Sequence, residues 1–233
     1  TPSGDTIIFS KGNDISLNAS TDNFYTGAGN LSGTTSPQVR LIASSDTGTA
    51  NSTYFAGIRI YENTYQYSTT NQTAELILSV YDENGSLLQA SSDTLPYVTV
   101  GGISGFDITG RTGAYNIAID HPISTNSTTS GTTHTWRFVL TFINLDTDQS
   151  INETATLSME AVLQKDRIEM PTIEEICSNN ANSSLLSCYI LSQYTGVDGD
   201  NGLYYHDADL ANGAGDNGYR YSGANPNNYV CFG

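Results

Sequence analysis

Two alternating runs between residues 134 and 164 constrain the fold more than any other feature of this chain. His134–Leu145 sets Trp136, Phe138, Leu140 and Phe142 against Thr135, Arg137 and Thr141. After a polar turn, Ala155, Leu157, Met159, Ala161 and Leu163 alternate with Thr154, Thr156, Ser158, Glu160 and Gln164. Successive side chains of a strand point to opposite faces, so each run has one apolar and one polar face. Two such runs in succession predict an antiparallel sheet with one face in a core and the other in water. The expected core face is Trp136, Phe138, Leu140, Leu157 and Met159. The polar face is mostly Thr, Ser and Asn with almost no Lys, as on an extracellular β-protein.

The chain before these runs reads as nearly continuous β-structure. Ile7–Phe9 and Ile15–Ala19 are short predicted strands around a Lys11–Asp14 turn, followed by Val39–Ala43. Tyr54, Ala56, Ile58 and Ile60 alternate with Phe55, Arg59 and Tyr61; Ala74, Leu76, Leu78 and Val80 alternate with Glu75, Ser79 and Tyr81. Asn84-Gly85 is a strong hairpin signal, because both residues tolerate positive φ. Tyr97–Val100, Phe106–Ile108 and Tyr115–Ile119 complete the series. Many short strands divided by turn signals predict a mainly β protein, an antiparallel β-sandwich or jelly roll.

Near Asp166–Pro171 the pattern changes. Thr172 is placed to cap a helix over Ile173–Cys177, with acidic residues in its first turn. A second short helix is expected to include Leu185, Leu186 and Tyr189–Leu191. Beyond Thr195 the chain is dominated by Gly, Asn, Asp and Tyr, and seven of its 15 tyrosines follow residue 188. The expected division is a sandwich domain at 1–168 and a small Cys-containing helix-and-loop appendage at 169–233, whose tyrosines make it an ordered piece rather than a linker.

Lys and Arg total 8 against 24 Asp and Glu, for a formal net charge of −16. Nucleic-acid binding needs cations to neutralise phosphates, so nucleic acid is excluded as a partner, and anionic membrane surfaces are disfavoured. No run approaches the roughly 20 apolar residues of a membrane span. The sequence opens at Thr1 without Met or signal peptide, which reads as a processed secreted chain or a trimmed one. Sequons begin at Asn18, Asn30, Asn51, Asn71, Asn84, Asn126, Asn152 and Asn182, which become glycosylation candidates on an exposed surface.

Cys177, Cys188 and Cys231 allow one disulfide in three ways and leave one thiol over. The histidines, His121, His134 and His206, are scattered, and no CxxC accompanies them, so a transition-metal site is a weak reading. Calcium is the cofactor candidate. Asp198 and Asp200 in one Gly-containing turn, and Asp207 and Asp209 just beyond, resemble part of a calcium loop without the full spaced series of an EF-hand. Turns favour Asp, Asn and Gly for backbone reasons as well. There is no GxSxG, HExxH or phosphate-cradling loop, so no catalytic residue is assigned.

The segment around Ile7, Ile8 and Phe9, with Ile15 and Leu17, is short, apolar and β-prone. It reads either as a strand of its own sheet or as a donor strand. A donor strand would leave its fold and complete a neighbour's sheet, with backbone hydrogen bonds supplying affinity and alternate side chains specificity.

The segment from Leu203-Tyr-Tyr-His-Asp207 to Asn228-Tyr-Val-Cys-Phe-Gly233 resembles a stretch in uncharacterised surface proteins of Gram-positive gut-type bacteria, which run on to another Cys. The β-domain, ending in Thr141-Phe-Ile-Asn-Leu145 and Leu157-Ser-Met-Glu-Ala161, is similar to the TasA/camelysin-like secreted proteins. That resemblance implies a jelly-roll domain assembling into extracellular matrix fibres by donor-strand exchange, and no catalytic residues. The leading expectation is therefore a cell-surface structural subunit that is not an enzyme and polymerises with itself. A carbohydrate- or host-binding adhesin, using exposed Tyr, Trp and Asn, is the second expectation. A glycan-active enzyme, which needs two carboxylates about 5–10 Å apart in a cleft, is the third.

Overall fold

The structure is a computed structural model that describes residues 4–15, 17, 19–179, 182, 185–206 and 218–221, the side chains of 206 and 218–221 excepted. The chain divides into two units, Thr1–Met170 and Pro171–Gly233.

The first unit is an antiparallel β-domain of three sheets. One has the order β1-β3-β9: Thr6–Ser10, Gln38–Ile42 and Thr132–Thr135. A second has the order β2-β10-β5-β7-β6: Leu31–Thr35, Arg137–Phe142, Leu76–Tyr81, Ile103–Asp107 and Tyr97–Val100. The third has the order β11-β4-β8: Leu157–Gln164, Ala50–Asn63 and Gly113–Thr125. The first two sheets share a ribbon. β2 pairs with β10 and β3 with β9 in one antiparallel direction, and the Trp136 N–H donates to the Pro37 carbonyl where the ribbon bends between them. One core joins all three sheets: Val39 and Leu41, Tyr54, Ile58 and Ile60, Leu76, Leu78 and Val80, and Trp136, Phe138, Leu140 and Phe142. This is the arrangement of a β-sandwich.

The two runs that dominate the sequence do not form one sheet. β10 pairs with β2 and β5, whereas β11 pairs with β4. Their apolar faces meet the same core from different sheets, with Leu157 and Met159 partly buried at its margin. The link between them is no tight hairpin, because it folds inward at Gln149 and Asn152, both fully buried. β5 also departs from a one-sided pattern. Every residue from Ala74 to Val80 is buried, since Ala74, Ile77 and Ile143 form a second small cluster on the far face. The Ser79 hydroxyl there donates to the Ser104 carbonyl at 2.6 Å. The Asn84-Gly85 turn forms as its chemistry requires. Gly85 has φ +76°, and the Asp82 carboxylate accepts from the Asn84 and Ser86 N–H groups, each at 2.9 Å.

In the second unit α1 spans Ile173–Ser178, and its Thr172 side chain accepts from the Glu175 N–H while the Glu175 side chain reaches back to the Thr172 N–H. α2 spans Leu186–Gln193. Cys177 and Cys188 form a disulfide across an 11-residue separation, which selects one of the three pairings; Cys231 lies outside the described residues. β12 (Leu203–His206) pairs with β13 (Gly218–Tyr221). Helices of six and eight residues are too short to persist alone in water. Cross-linking a loop of this length contributes about 3 kcal/mol. Reduction of the full chain is therefore expected to melt both helices, read by hydrogen exchange as lost protection of amides such as Tyr189, which donates to the Leu185 carbonyl.

Candidate functional site

Two features of the β-domain are candidates for function. The first is the seam occupied by the N-terminal segment. β1 pairs with β3 of its own chain, from Thr6 opposite Ile42 to Ser10 opposite Gln38. It is an edge strand, with a ladder on one side only. Ile7 and Phe9 face the core, whereas Ile8 points outward and is exposed. Of the expected donor-strand residues, period two therefore puts Ile7 and Phe9 on the core face and leaves Ile8 on the other. Ile15 and Leu17 do pack on the core, but no strand forms at Ile15, Leu17 or Ala19; Ser16 and Asn18 are outside the described residues.

The reason lies in what this stretch covers. β2 and β11 are the edges of their sheets. Residues Lys11–Ile15 line a cleft of about 350 Å³ with Thr35 of β2, Leu78, Phe138, Leu140 and residues 157–161 of β11. Leu17 and Ile15 press against β2 so closely that a Cβ on Gly33 would sit 2.2 Å from the Ile15 Cγ2. The segment thus runs beside the two sheet edges through side-chain contacts rather than a ladder, and leaves an open cleft between them. One charged tie holds its start, Lys11 to Glu160 at 3.5 Å, and the Lys11 side chain is 88% exposed. Such a pair is worth little in water. Glu160 itself is anchored elsewhere. Burial works against its charge, but hydrogen bonds from Tyr61 and Arg59, at 2.7 and 2.8 Å, hold its carboxyl below the ordinary range.

The second feature is a polar cluster where the three sheets converge. Glu83 stands in the Asp82–Ser86 turn after β5, His121 on β8 directly opposite Tyr54 of β4, and His134 on β9 opposite Val39. The His121 Nε2 lies 3.0 and 2.9 Å from the two Glu83 oxygens, and the His134 Nδ1 lies 3.8 Å from the nearer. Behind them sits the buried Tyr54. Its hydroxyl accepts from the Trp136 Nε1 at 2.8 Å and meets the His134 Nδ1 at 2.9 Å. Edge-on ring contacts of 5.1–6.3 Å lock Tyr54, His121, His134 and Trp136 together, and Phe9 of β1 joins them against Tyr54 at 6.5 Å. Burial pushes the Tyr54 hydroxyl well above the ordinary tyrosine range. Burial likewise holds the His134 imidazole below its usual value, against the opposing pull of Glu83. Among the described residues this is the group of three side chains placed to hold a metal ion.

The sequence marks these histidines as scattered, and the fold brings two of them together. The calcium candidates fare differently. Asp198 accepts from the Tyr194 hydroxyl and the Tyr205 N–H, and Asp200 from the Thr195 hydroxyl, so their loop uses them internally. Asp207 and Asp209 lie outside the described residues. Among the sequons, Asn30, Asn51, Asn71, Asn84 and Asn126 are exposed, while Asn182 is half-buried and donates to the Ile176 carbonyl. Asn152 is corrected: it is fully buried, and its Nδ2 donates to Gln66 and Glu75 at 2.8 and 2.7 Å, so this packing has no room for a glycan there. Of the late tyrosines, Tyr189, Tyr204 and Tyr205 are exposed.

Comparison with protein-family models, with curated proteins and with solved structures found no match.

Proposed function

We propose that this chain is a structural subunit of an extracellular surface fibre, assembled by passing its N-terminal segment into the seam of a neighbouring copy. The observation that carries the reading is the seam itself. Residues 11–15 line an open cleft between sheet edges β2 and β11, next to Ile15 and Leu17 packed on β2, and among the described residues of 6–17 the one ladder is β1 with β3. A segment inserted from a second copy makes the same contacts as one inserted from its own chain. Exchange therefore changes connectivity without changing the packed interface, which makes strand swapping an inexpensive route to polymers. Released, the segment would widen the opening over Leu78, Phe138 and Leu140 and add the β3 edge to the unpaired edges of β2 and β11, an arrangement that favours capture of another strand over remaining open.

The setting agrees with this role. A disulfide forms in oxidising compartments, and among the described residues no helix is long and apolar enough to cross a membrane. Two copies that each carry a formal net charge of −16 repel, so their joining would have to rest on backbone bonds and apolar side chains.

The test is a chain lacking residues 1–17. It is expected to stay monomeric under conditions in which the full chain polymerises, and to bind a synthetic peptide of residues 5–17 with a rise in its unfolding midpoint. Filaments of ordinary length from the truncated chain, seen by electron microscopy, would rule out assembly through this segment.

A further inference from the structure

We propose that Glu83, His121 and His134 form a binding site for a borderline divalent transition-metal ion, with zinc as the first candidate. The three donor atoms lie within 4.8 Å of one another. A tetrahedral zinc ion, with bonds of about 2.0–2.1 Å to nitrogen and oxygen, separates its ligands by roughly 3.3 Å. To reach that spacing His121 to Glu83 must open from 2.9 Å and His134 to Glu83 must close from 3.8 Å, while the donor nitrogens of the two imidazoles start within 4.8 Å of each other. Two imidazoles and one carboxylate suit zinc and its neighbours. Calcium, which takes six to eight oxygens, is not served by this set.

The surroundings orient the rings. The Tyr54 oxygen accepts the Trp136 N–H and meets the His134 Nδ1 at 2.9 Å, so a buried, fixed hydroxyl backs the His134 ring. A metal ion bound at the His134 Nδ1 would use that nitrogen's one lone pair, and so would replace the Tyr54 hydroxyl as its partner there. The His121 Nε2 holds its proton toward Glu83. An incoming cation takes that proton's place, and the proton leaves to the His121 Nδ1 or to solvent. The Glu83 carboxylate then offsets part of the metal's charge.

Position favours binding as well. The His121, His134 and Glu83 side chains are 21%, 14% and 17% exposed, so an ion can reach them. Three protein ligands leave a fourth position for water. The ligands come from three sheets: Glu83 follows β5, His121 is on β8 and His134 on β9. A bound ion would therefore pin the three sheets at one point and favour the folded state.

The full chain, freed of metal with a chelator, should be titrated with zinc chloride by calorimetry and followed through thermal unfolding. One equivalent is expected to bind in the micromolar range or tighter and to raise the midpoint, with affinity falling at least tenfold in H121Q and in H134Q. Because either variant could unfold, the unaltered chain supplies a second readout. In its NMR spectrum zinc should move the imidazole signals of two histidines, His121 and His134, and leave those of His206 in place. Affinity weaker than millimolar, binding unchanged in both variants, or a response confined to His206 would overturn the site.

Discussion

Glu75→Ala is expected to lower the stability of the β-domain by about 3–5 kcal/mol, among the largest losses available to a single substitution in it. Glu75 is fully buried on β5's approach, where the sequence pattern offers a polar, water-facing position. Its Oε1 accepts from the Ser68 N–H at 2.6 Å, and its Oε2 from the Gln149 Nε2 and the Asn152 Nδ2 at 2.9 and 2.7 Å. Both amides are themselves fully buried. Removing the carboxyl leaves three donors short of an acceptor, and each orphaned buried donor costs about 1–3 kcal/mol. The amides keep one bond each, to the Ile143 and Gln66 carbonyls, so the losses are partial. At about 2–4 °C per kcal/mol for a domain of this size, the midpoint should fall by roughly 6–20 °C. Glu75→Gln keeps the shape but turns an N–H₂ toward other N–H groups, and should fall between the two. In a double-mutant cycle, Asn152→Ala should cost much less in the Glu75→Ala background than alone, because the two share one network. A loss under 1 kcal/mol for Glu75→Ala in chemical denaturation would contradict this account.

Asn152 shows why that network was hidden. Its Asn-Glu-Thr spacing reads as a sequon, and sequons read as surface. Nothing local says that the residue turns inward to meet a carboxylate 77 positions earlier. What the sequence does display is periodicity. Trp136, Phe138, Leu140 and Phe142 are buried as their alternation requires, and Asn84-Gly85 turns where its backbone preferences require. Thr172 likewise caps α1, with Glu175 completing the box. Periodicity assigns a face, but it does not assign a partner, so β10 and β11 read as neighbours while pairing into different sheets. The same gap hid the polar cluster. His121 is 38 residues from Glu83 and on another sheet from His134, and only strand pairing brings the three together. One local signal pointed to part of it: the Asn84-Gly85 turn fixes Glu83 at a hairpin tip. The seam was half legible. Ile7 and Phe9 alternate as an edge strand must, whereas Ile15 and Leu17 are apolar because they pack on the core beside β2 without forming a strand, a role with no period of its own.

Trp136→Ala is expected to be as damaging as the loss of Glu75, for a different reason. Trp136 is fully buried at the bend where the β2–β3 and β9–β10 ribbon passes from one sheet to the next. Its ring touches Tyr54, His121 and Phe138, with centroids 6.3, 5.1 and 6.3 Å away. Truncating a buried Trp to Ala costs about 3–5 kcal/mol through lost apolar burial and the cavity left behind. The hydrogen bond adds less, because the Tyr54 hydroxyl retains the His134 Nδ1. Trp136→Phe separates the two terms: it keeps an aromatic ring, loses the N–H donor and part of the volume, and should cost about 1–2 kcal/mol. The comparison also tests whether the cluster behind Glu83 is a rigid support. With the indole gone, Tyr54 loses an aromatic wall and the donor that orients its hydroxyl, so the His121 and His134 rings lose their common backing. In Trp136→Phe that backing remains. Imidazole NMR signals of His121 and His134 should therefore stay sharp in Trp136→Phe and broaden in Trp136→Ala below its unfolding midpoint. Equal stability of the two variants would mean that the indole N–H, and not the packed ring, holds the bend.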